Sequence, residues 1–525
     1  MRRSVCLGCF GVLGVLLLIV GAIVVGLFDP VVDSFVYKEL VLKKDSDIYE
    51  KWRLPPVVPH LLIYFFNVSN KEEFQLGDKP VLQEVGPYCY REHWEKVNIT
   101  FHDNGTVSYE TQKHYYFERS KSVGSEDDII TTLNIPMMTA VSKWRFAARL
   151  AKLALSSMLE VLKEKPFVTR SVKDLMWGYE DPLLKIAKDI LPPGQRLPYD
   201  RFGFFVERNG STDGLLNVFT GEDGDMSRYT LIDTFNHQHK LNYWLDDSCN
   251  ALVGTDGSSF PPGISEKDRL YMFNDNLCRS LPLTYKHDVD DFGVNGMRFS
   301  PPPDAFGNAS VNPENLCFCV GGPPCAGTGL FNISSCKFGS PTIVSWPHFY
   351  QADPKYLNAV EGLSPNADKH GFYIDIAPRS GAPLRAQARL QINIAVPYVP
   401  EVKVMSRLRE IIFPVLWFSD GVTELPEDLL ELLQFSENVP PVVKSSLELA
   451  FFVLGGVFVL VVCVAMLAGH FDLPVPYLNP SYTHKEGKVT RTEQNGIEQH
   501  VPPPKPGLMG HTNTLVSDQP ENDRA

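Results

Sequence analysis

VCLGCFGVLGVLLLIVGAIVVGLF, residues 5–28, runs for 24 residues without a charge, and LAFFVLGGVFVLVVCVAMLA, residues 449–468, adds 20 more. At about 1.5 Å per residue these runs reach roughly 36 and 30 Å as helices, enough to cross a hydrocarbon core about 30 Å thick. A signal-peptide core is usually about 7–15 residues long with a small-x-small cleavage site, so the first run reads as a retained span. Arg2 and Arg3 precede it and Asp29 and Asp33 follow it. The positive-inside rule therefore puts the N-terminus in the cytoplasm, and two spans return the tail to the same side. The expected organisation is a short cytoplasmic segment (1–4), a first transmembrane helix (5–28), an extracellular or luminal domain (29–448), a second transmembrane helix (449–468) and a disordered cytoplasmic tail (469–525).

Two further patterns agree with that topology. N-x-S/T sequons occur at Asn67, Asn98, Asn104, Asn209, Asn308 and Asn332, all between the runs. The tail candidate Asn479-Pro480-Ser481 is disqualified by its proline. Seven of the ten cysteines also lie between the runs, and six of them fall within 249–336, as suits an oxidising compartment. The formal charge is −13 overall, and residues between the runs carry all of it, with 42 basic against 55 acidic side chains. An acidic body of this kind speaks against nucleic acid as a partner.

Within the large domain, residues 60–68 (HLLIYFFNV), 371–376 and 389–396 (RLQINIAV) are short, rich in β-branched and aromatic residues, and bounded by turn formers, so they read as strands. Residues 141–163 (VSKWRFAARLAKLALSSMLEVLK) contain no Gly or Pro and read as one helix. Trp144, Ala148, Ala151, Leu155, Met158 and Leu162 would form its apolar stripe, and Arg145, Arg149 and Lys152 a basic one. Residues 141–165 hold six basic and two acidic side chains, a cationic island on an acidic body. A solvated face over ordinary core packing competes with an anion- or lipid-attracting surface. Two more helices are expected at 406–417 and 426–435.

Signals for catalysis are missing. The sequence has no G-x-x-x-x-G-K-[ST], no G-x-S-x-G and no H-E-x-x-H, and it shows no cofactor signature. In the stretch Asp233…His237-Gln238-His239 the two histidines could share a metal if extended, but no third ligand follows at convincing spacing. An exposed loop is the plainer reading, and no enzyme is expected.

A set of ordered motifs carries a resemblance: Glu84-Val85-Gly86-Pro87-Tyr88, residues 175–182 (LMWGYEDP), 254–262 (GTDGSSFPP), Trp346-Pro347-His348-Phe349, and 362–366 (GLSPN). With Asn312-Pro313-Glu314-Asn315-Leu316-Cys317-Phe318-Cys319 and a span at each end, the chain resembles the class B scavenger receptor family. That resemblance implies an α+β fold, a large antiparallel β-barrel ectodomain with a lipid tunnel and an apical helical bundle near 133–190, plus one transmembrane helix at each end. It also implies disulfides Cys249–Cys317, Cys278–Cys336 and Cys319–Cys325. Six cysteines leave many connectivities open on sequence alone, and Cys89 is left over.

The same resemblance puts ligand binding at the apex, where Lys143, Arg145, Arg149, Lys152, Leu155, Met158, Lys163 and Lys165 are the candidates. The implied function is a cell-surface scavenger and lipid receptor. It would bind fatty acids, sterols, phospholipids, lipoproteins or other anionic ligands and pass lipid through the tunnel to the membrane. Two alternatives share the apex: a lysosomal or endosomal sorting receptor for a luminal hydrolase, and a pattern-recognition receptor for apoptotic cells or microbes. Expected partners also include an endocytic adaptor, reading Asn479, Pro480 and Tyr482 as an N-P-x-Y signal, and a second copy in a homo-oligomer. Cys6, Cys9 and Cys463 are palmitoylation candidates. The expected location is the plasma membrane, with endosomes or lysosomes as the alternative.

Overall fold

A computed structural model describes residues 2–190, 200–319 and 325–470. Met1–Leu460 forms one compact unit and Val461–Ala525 a second. Both apolar runs are helical, and each helix outruns its apolar stretch: the N-terminal helix is Arg2–Leu40 and the C-terminal helix Glu427–His470. Both are long and apolar enough to cross a membrane, and only 11% and 6% of their most apolar windows are covered by protein. The helix expected at 426–435 is the first part of the C-terminal helix.

These two helices touch through glycine. A Cβ on Gly14 would lie 3.0 Å from the Phe458 Cβ and 3.1 Å from the Gly455 carbonyl, so the close approach depends on the missing side chain. Just past the apolar runs, Lys444 Nζ pairs with Asp29 at 2.7 Å. Arg379, in the turn before Pro383, reaches Asp29 at 3.5 Å and also binds Asp33. Glu437 accepts the Arg379 and Ser380 backbone N–H groups, each at 3.1 Å. One arginine loop thus ties the base of the large domain to both helices.

The strands, in chain order, are β1 His60–Val68, β2 Leu82–His102, β3 Thr106–Phe117, β4 Ile129–Leu133, β5 Phe167–Ser171, β6 Tyr179–Glu180, β7 Arg201–Phe202, β8 Leu216–Phe219 and β9 Ile232–Phe235. They continue as β10 Arg269–Asn274, β11 Arg279–Asp291, β12 Val294–Ser300, β13 Phe331–Asn332, β14 Thr342–Ser345, β15 Tyr373–Ile376, β16 Pro383–Val396 and β17 Ile411–Gly421. Thirteen of them make one antiparallel sheet in the order β10-β11-β12-β15-β16-β17-β1-β2-β3-β8-β9, with β14 on β16 and β13 on β14. No continuous ladder closes it into a barrel. Among the described residues no strand pairing joins its edges β9 and β10; Gly254-Thr255 lies between them, and Phe235 of β9 packs edge to face on Phe273 of β10 at 5.1 Å. The Ile232 N–H donates to the Gly254 carbonyl at 2.9 Å, and the Phe273 N–H to the Thr255 carbonyl at 2.8 Å.

Two helix expectations are corrected. Residues 406–417 are not helical: most of them enter β17, which β1 and β16 flank on either side. Ile411, Ile412 and Val415 favour the pleated, buried environment. Pro414 is tolerated because it sits beside a register shift in the β16 pairing. Residues 141–163 do not form one helix either. Ile135–Trp144 ends at Arg145, Ala148 is extended (ψ 147°), and a second helix spans Arg149–Val161. No Gly or Pro forces this break, so its cause is tertiary. Val141 and Leu155 would lie about 21 Å apart along a straight helix, yet both pack into one buried cluster. Two shorter helices, Val172–Trp177 and Pro182–Ile190, complete this insertion.

Candidate functional site

Alternate residues of the central strands line one cavity of about 2180 Å³. On β16 these are Ala386, Ala388, Leu390, Ile392 and Ile394, and on β17 Leu416 and Phe418. The period of two is the strand pleat, which sends every second side chain to the same face. The cavity also touches Trp144, Leu155 and Met158 of the inserted helices, Val32 and Phe35 of the N-terminal helix, and Leu429 and Leu433 of the C-terminal helix. A drug-sized ligand needs only about 300–1,000 Å³, so this space holds a molecule the length of a lipid with room to spare.

The β2–β3 hairpin lines the same cavity with different chemistry. Glu92, Trp94 and Lys96 project from β2, and Thr111, Lys113 and Tyr115 from β3; Glu92 faces Tyr115, Trp94 faces Lys113, and Lys96 faces Thr111. Burial, reinforced by the Asp420 charge, pushes the Glu92 carboxyl up to about 8. The Trp94 indole N–H donates to it. Lys113 lies 3.8 Å from Asp213. Burial alone would lower its pKa, but the Glu92 and Asp213 charges outweigh that and raise it. Asp420 is raised by burial, and its Oδ1 is buried with no hydrogen-bond partner among the described residues.

Behind the apolar wall, two of the sequence motifs meet. His348 Nε2 donates to Glu84 Oε2 at 2.5 Å, and the Trp417 indole donates to the same oxygen at 2.7 Å. Burial would raise the Glu84 pKa, but these two donors more than offset it. His370 stacks on His348 with centroids 4.2 Å apart. Burial first, then His348, pushes its imidazole down to about 4. The Ser364 N–H reaches His348 Nδ1 at 3.0 Å, which brings in the 362–366 motif. These contacts tie three sequence-distant motifs together.

Three disulfides staple the far lobe, Cys249–Cys317, Cys278–Cys336 and Cys319–Cys325, with Cα separations of 6.0, 6.6 and 5.1 Å. The profile of the CD36 family matches residues 12–466, the whole stretch between the two spans and most of each span. The chain belongs to the CD36 family. Lysosome membrane protein 2 of Homo sapiens is 39% identical over 421 residues, 79% of this chain and 86% of that protein. Scavenger receptor class B member 1 of Sus scrofa is 36% identical over 412 residues, 78% of this chain and 80% of that protein. This is therefore a class B scavenger receptor.

In this CD36-family chain the basic candidates do not form one stripe. The break at 145–148 puts Arg145 on a separate segment from Arg149 and Lys152, and its guanidinium lies 4.5 Å from the Phe146 ring centroid. Lys152 is half-buried and paired with Glu401 at 2.5 Å. Lys143 lines the cavity with Leu155 and Met158. Arg149, Lys163 and Lys165 are exposed, and Lys163 sits at φ 57° where the second helix ends. Around them Phe146 and Leu150 are 85% and 79% exposed, an apolar patch that a straight helix would have hidden from the sequence reading.

Of the sequons, Asn98, Asn104 and Asn209 are exposed, whereas Asn67, Asn308 and Asn332 are half-buried. The Asn308 amide donates to the Ala326 carbonyl at 2.8 Å. Cys89 is buried and unpaired, and burial pushes its thiol up to about 11. Cys9 and Cys463 are unpaired and exposed on their helices. The Cys6 side chain and Asn479, Pro480 and Tyr482 lie outside the described residues. Asp233, His237 and His239 lie on and just after β9, where the exposed His239 ring donates to the Asp233 carbonyl at 3.1 Å. A closer metal-like grouping, His60, Cys89 and Glu118, was not anticipated. Lys121, 2.8 Å from His60 Nε2 and 3.4 Å from Glu118, already supplies its positive charge.

The polar side of the cavity escaped the sequence reading. Its signal is the alternation in Glu92-His93-Trp94-Glu95-Lys96, with polar residues on both faces.

Proposed function

We propose that this protein is a membrane-anchored lipid receptor. Helices Ile135–Trp144 and Arg149–Val161 form an apical capture surface for lipids, lipoproteins or other anionic ligands, and the cavity is the conduit that takes lipid to the bilayer. One observation carries the reading: a single cavity is lined both by those helices and by both membrane-associated helices. The thirteen-stranded sheet acts as the conduit wall, a barrel with its seam at Gly254-Thr255. Apolar burial, worth about 0.8 kcal/mol per CH₂, holds an acyl chain without a dedicated contact for each carbon. The plasma membrane and the lysosomal membrane both suit this reading; the name of lysosome membrane protein 2 supports the second.

A second reading rests on exposed Phe146 and Leu150. Side chains of that size left open to water suit docking of a protein, including a luminal hydrolase sorted to lysosomes. Mass spectrometry of the full-length glycoprotein purified from cells separates the two. Co-purifying fatty acids, sterols or phospholipids support the conduit. A lipid-free protein that carries a luminal hydrolase overturns it in favour of sorting.

A further inference from the structure

The polar wall ends in a lysine with nothing to bind. Lys96 is only 5% exposed, yet among the described residues its ammonium has no hydrogen bond and no ion pair. It lines the cavity. Its Nζ lies 5.2 Å from the Trp52 ring centroid and 5.3 Å from that of Tyr109. Those two rings meet edge to face at 4.9 Å, so the ammonium is held over an aromatic corner.

The nearest carboxylate is already engaged. Asp256 accepts the Tyr109 hydroxyl at 2.7 Å through Oδ2, and the Ser258 N–H and hydroxyl at 2.9 and 2.6 Å through Oδ1. Asp256 stabilises the Lys96 charge across space but does not take its protons. The unmet valence at this corner is therefore three N–H donors with no acceptor among the described residues. A desolvated ammonium is costly to leave without an acceptor, and a charged acceptor satisfies it best. Asp256, which favours its charged form, and Lys113, which opposes it, are the other charges that act on it.

We infer that Lys96 is an internal seat for the anionic head group of a lipid, carboxylate or phosphate, whose acyl chain lies along the apolar wall. Trp52 belongs to helix Asp47–Arg53, and it shares a buried cluster with Leu42 and with Tyr37 and Leu40 of the N-terminal helix. The seat therefore lies where the chain leaves the first span, apart from the capture surface. It rests on the conduit reading and adds to it a preference for anionic over neutral lipids inside the cavity.

Full-length protein in nanodiscs can be titrated with radiolabelled palmitate, lysophosphatidate, methyl palmitate and cholesterol, as wild type, Lys96→Met and Lys96→Arg. Expected for Lys96→Met is a loss of roughly ten-fold in palmitate affinity, the usual worth of a hydrogen bond to a charged group, with methyl palmitate and cholesterol unchanged. Lys96→Arg should retain palmitate binding. Parallel loss of lysophosphatidate places a phosphate head on the same seat; loss of palmitate alone restricts it to carboxylates. Equal loss of methyl palmitate, unchanged palmitate binding in Lys96→Met, or Lys96→Arg behaving like Lys96→Met overturns the seat. Wild type that binds none of the four overturns the conduit reading itself.

Discussion

Two walls of one cavity are built on opposite physical terms. The β16–β17 wall presents Ala386, Ala388, Leu390, Ile392, Ile394, Leu416 and Phe418. The β2–β3 wall presents Glu92, Trp94, Lys96, Thr111, Lys113 and Tyr115 to the same space. The first gains stability from every apolar atom it withdraws from water. The second carries charge out of water: Lys113 pairs with Asp213, burial raises the Glu92 carboxyl, and Lys96 has only an aromatic corner beside it. A pure hydrophobic tube would need none of this. The polar wall is thus the better guide to what the cavity selects, and the apolar wall to what it can hold.

The contrast can be broken most sharply at Lys113. Lys113→Met leaves Asp420 without a nearby cation and Asp213 with Arg208 alone, and loss of a partner from this half-buried cluster should cost about 3 kcal/mol, the low end for a buried charge pair. A thermal scan at neutral pH should show a large drop in melting temperature that shrinks in acid, where the carboxyls are protonated. A small, pH-independent drop would mean that the cluster is hydrated and uncoupled. On the apolar wall, Leu390→Ala should lose about 2–4 kcal/mol through lost burial, with the same loss at every pH.

Glu92 sharpens the comparison through its sign. Its carboxyl ionises at about 8 in the folded protein against an ordinary value of 4.5. Between those values the native state keeps a proton that the unfolded chain has lost, so its contribution to stability falls as pH rises from about 4.5 to about 8. Glu92→Gln should raise the melting temperature at about pH 8.5 and leave it unchanged near pH 5. A gain of equal size at both would show that Glu92 is not proton-linked. The smallest effect belongs to the outside of the same hairpin. Asn104→Gln in the exposed β2–β3 turn should remove one glycan by intact mass and shift stability by less than about 0.5 kcal/mol. Asn308, half-buried with its amide on Ala326, should carry less glycan than Asn104, which is exposed.

The apolar wall was largely legible before any coordinates. Residues 60–68 and 389–396 alternate or run apolar at strand length, and they appear as β1 and the end of β16. β17 was misread because residues 406–417 open with Ser406-Arg407-Leu408-Arg409, which reads as helical, while the pairing that decides it comes from strands far away in sequence. The helix at 141–163 was overextended for the same reason: its break follows from packing, and no local breaker marks it. The polar wall left only an ambiguous signal. In Glu92-His93-Trp94-Glu95-Lys96 neither face is apolar, so the period of two cannot tell inside from outside. The disulfide pairing likewise came from the family resemblance, since spacing alone does not choose among connectivities.

Passage of lipid through this cavity is the central claim, and a plug tests it most directly. Ala388→Trp places an indole on the apolar wall, away from the exposed helices and from Lys96. Full-length wild type and variant can be reconstituted in proteoliposomes and supplied with lipoprotein carrying a fluorescent sterol or fatty acid. Lipoprotein should still bind the variant while lipid transfer into the bilayer falls to background. Transfer at the wild-type rate by a folded Ala388→Trp protein would contradict passage through the cavity.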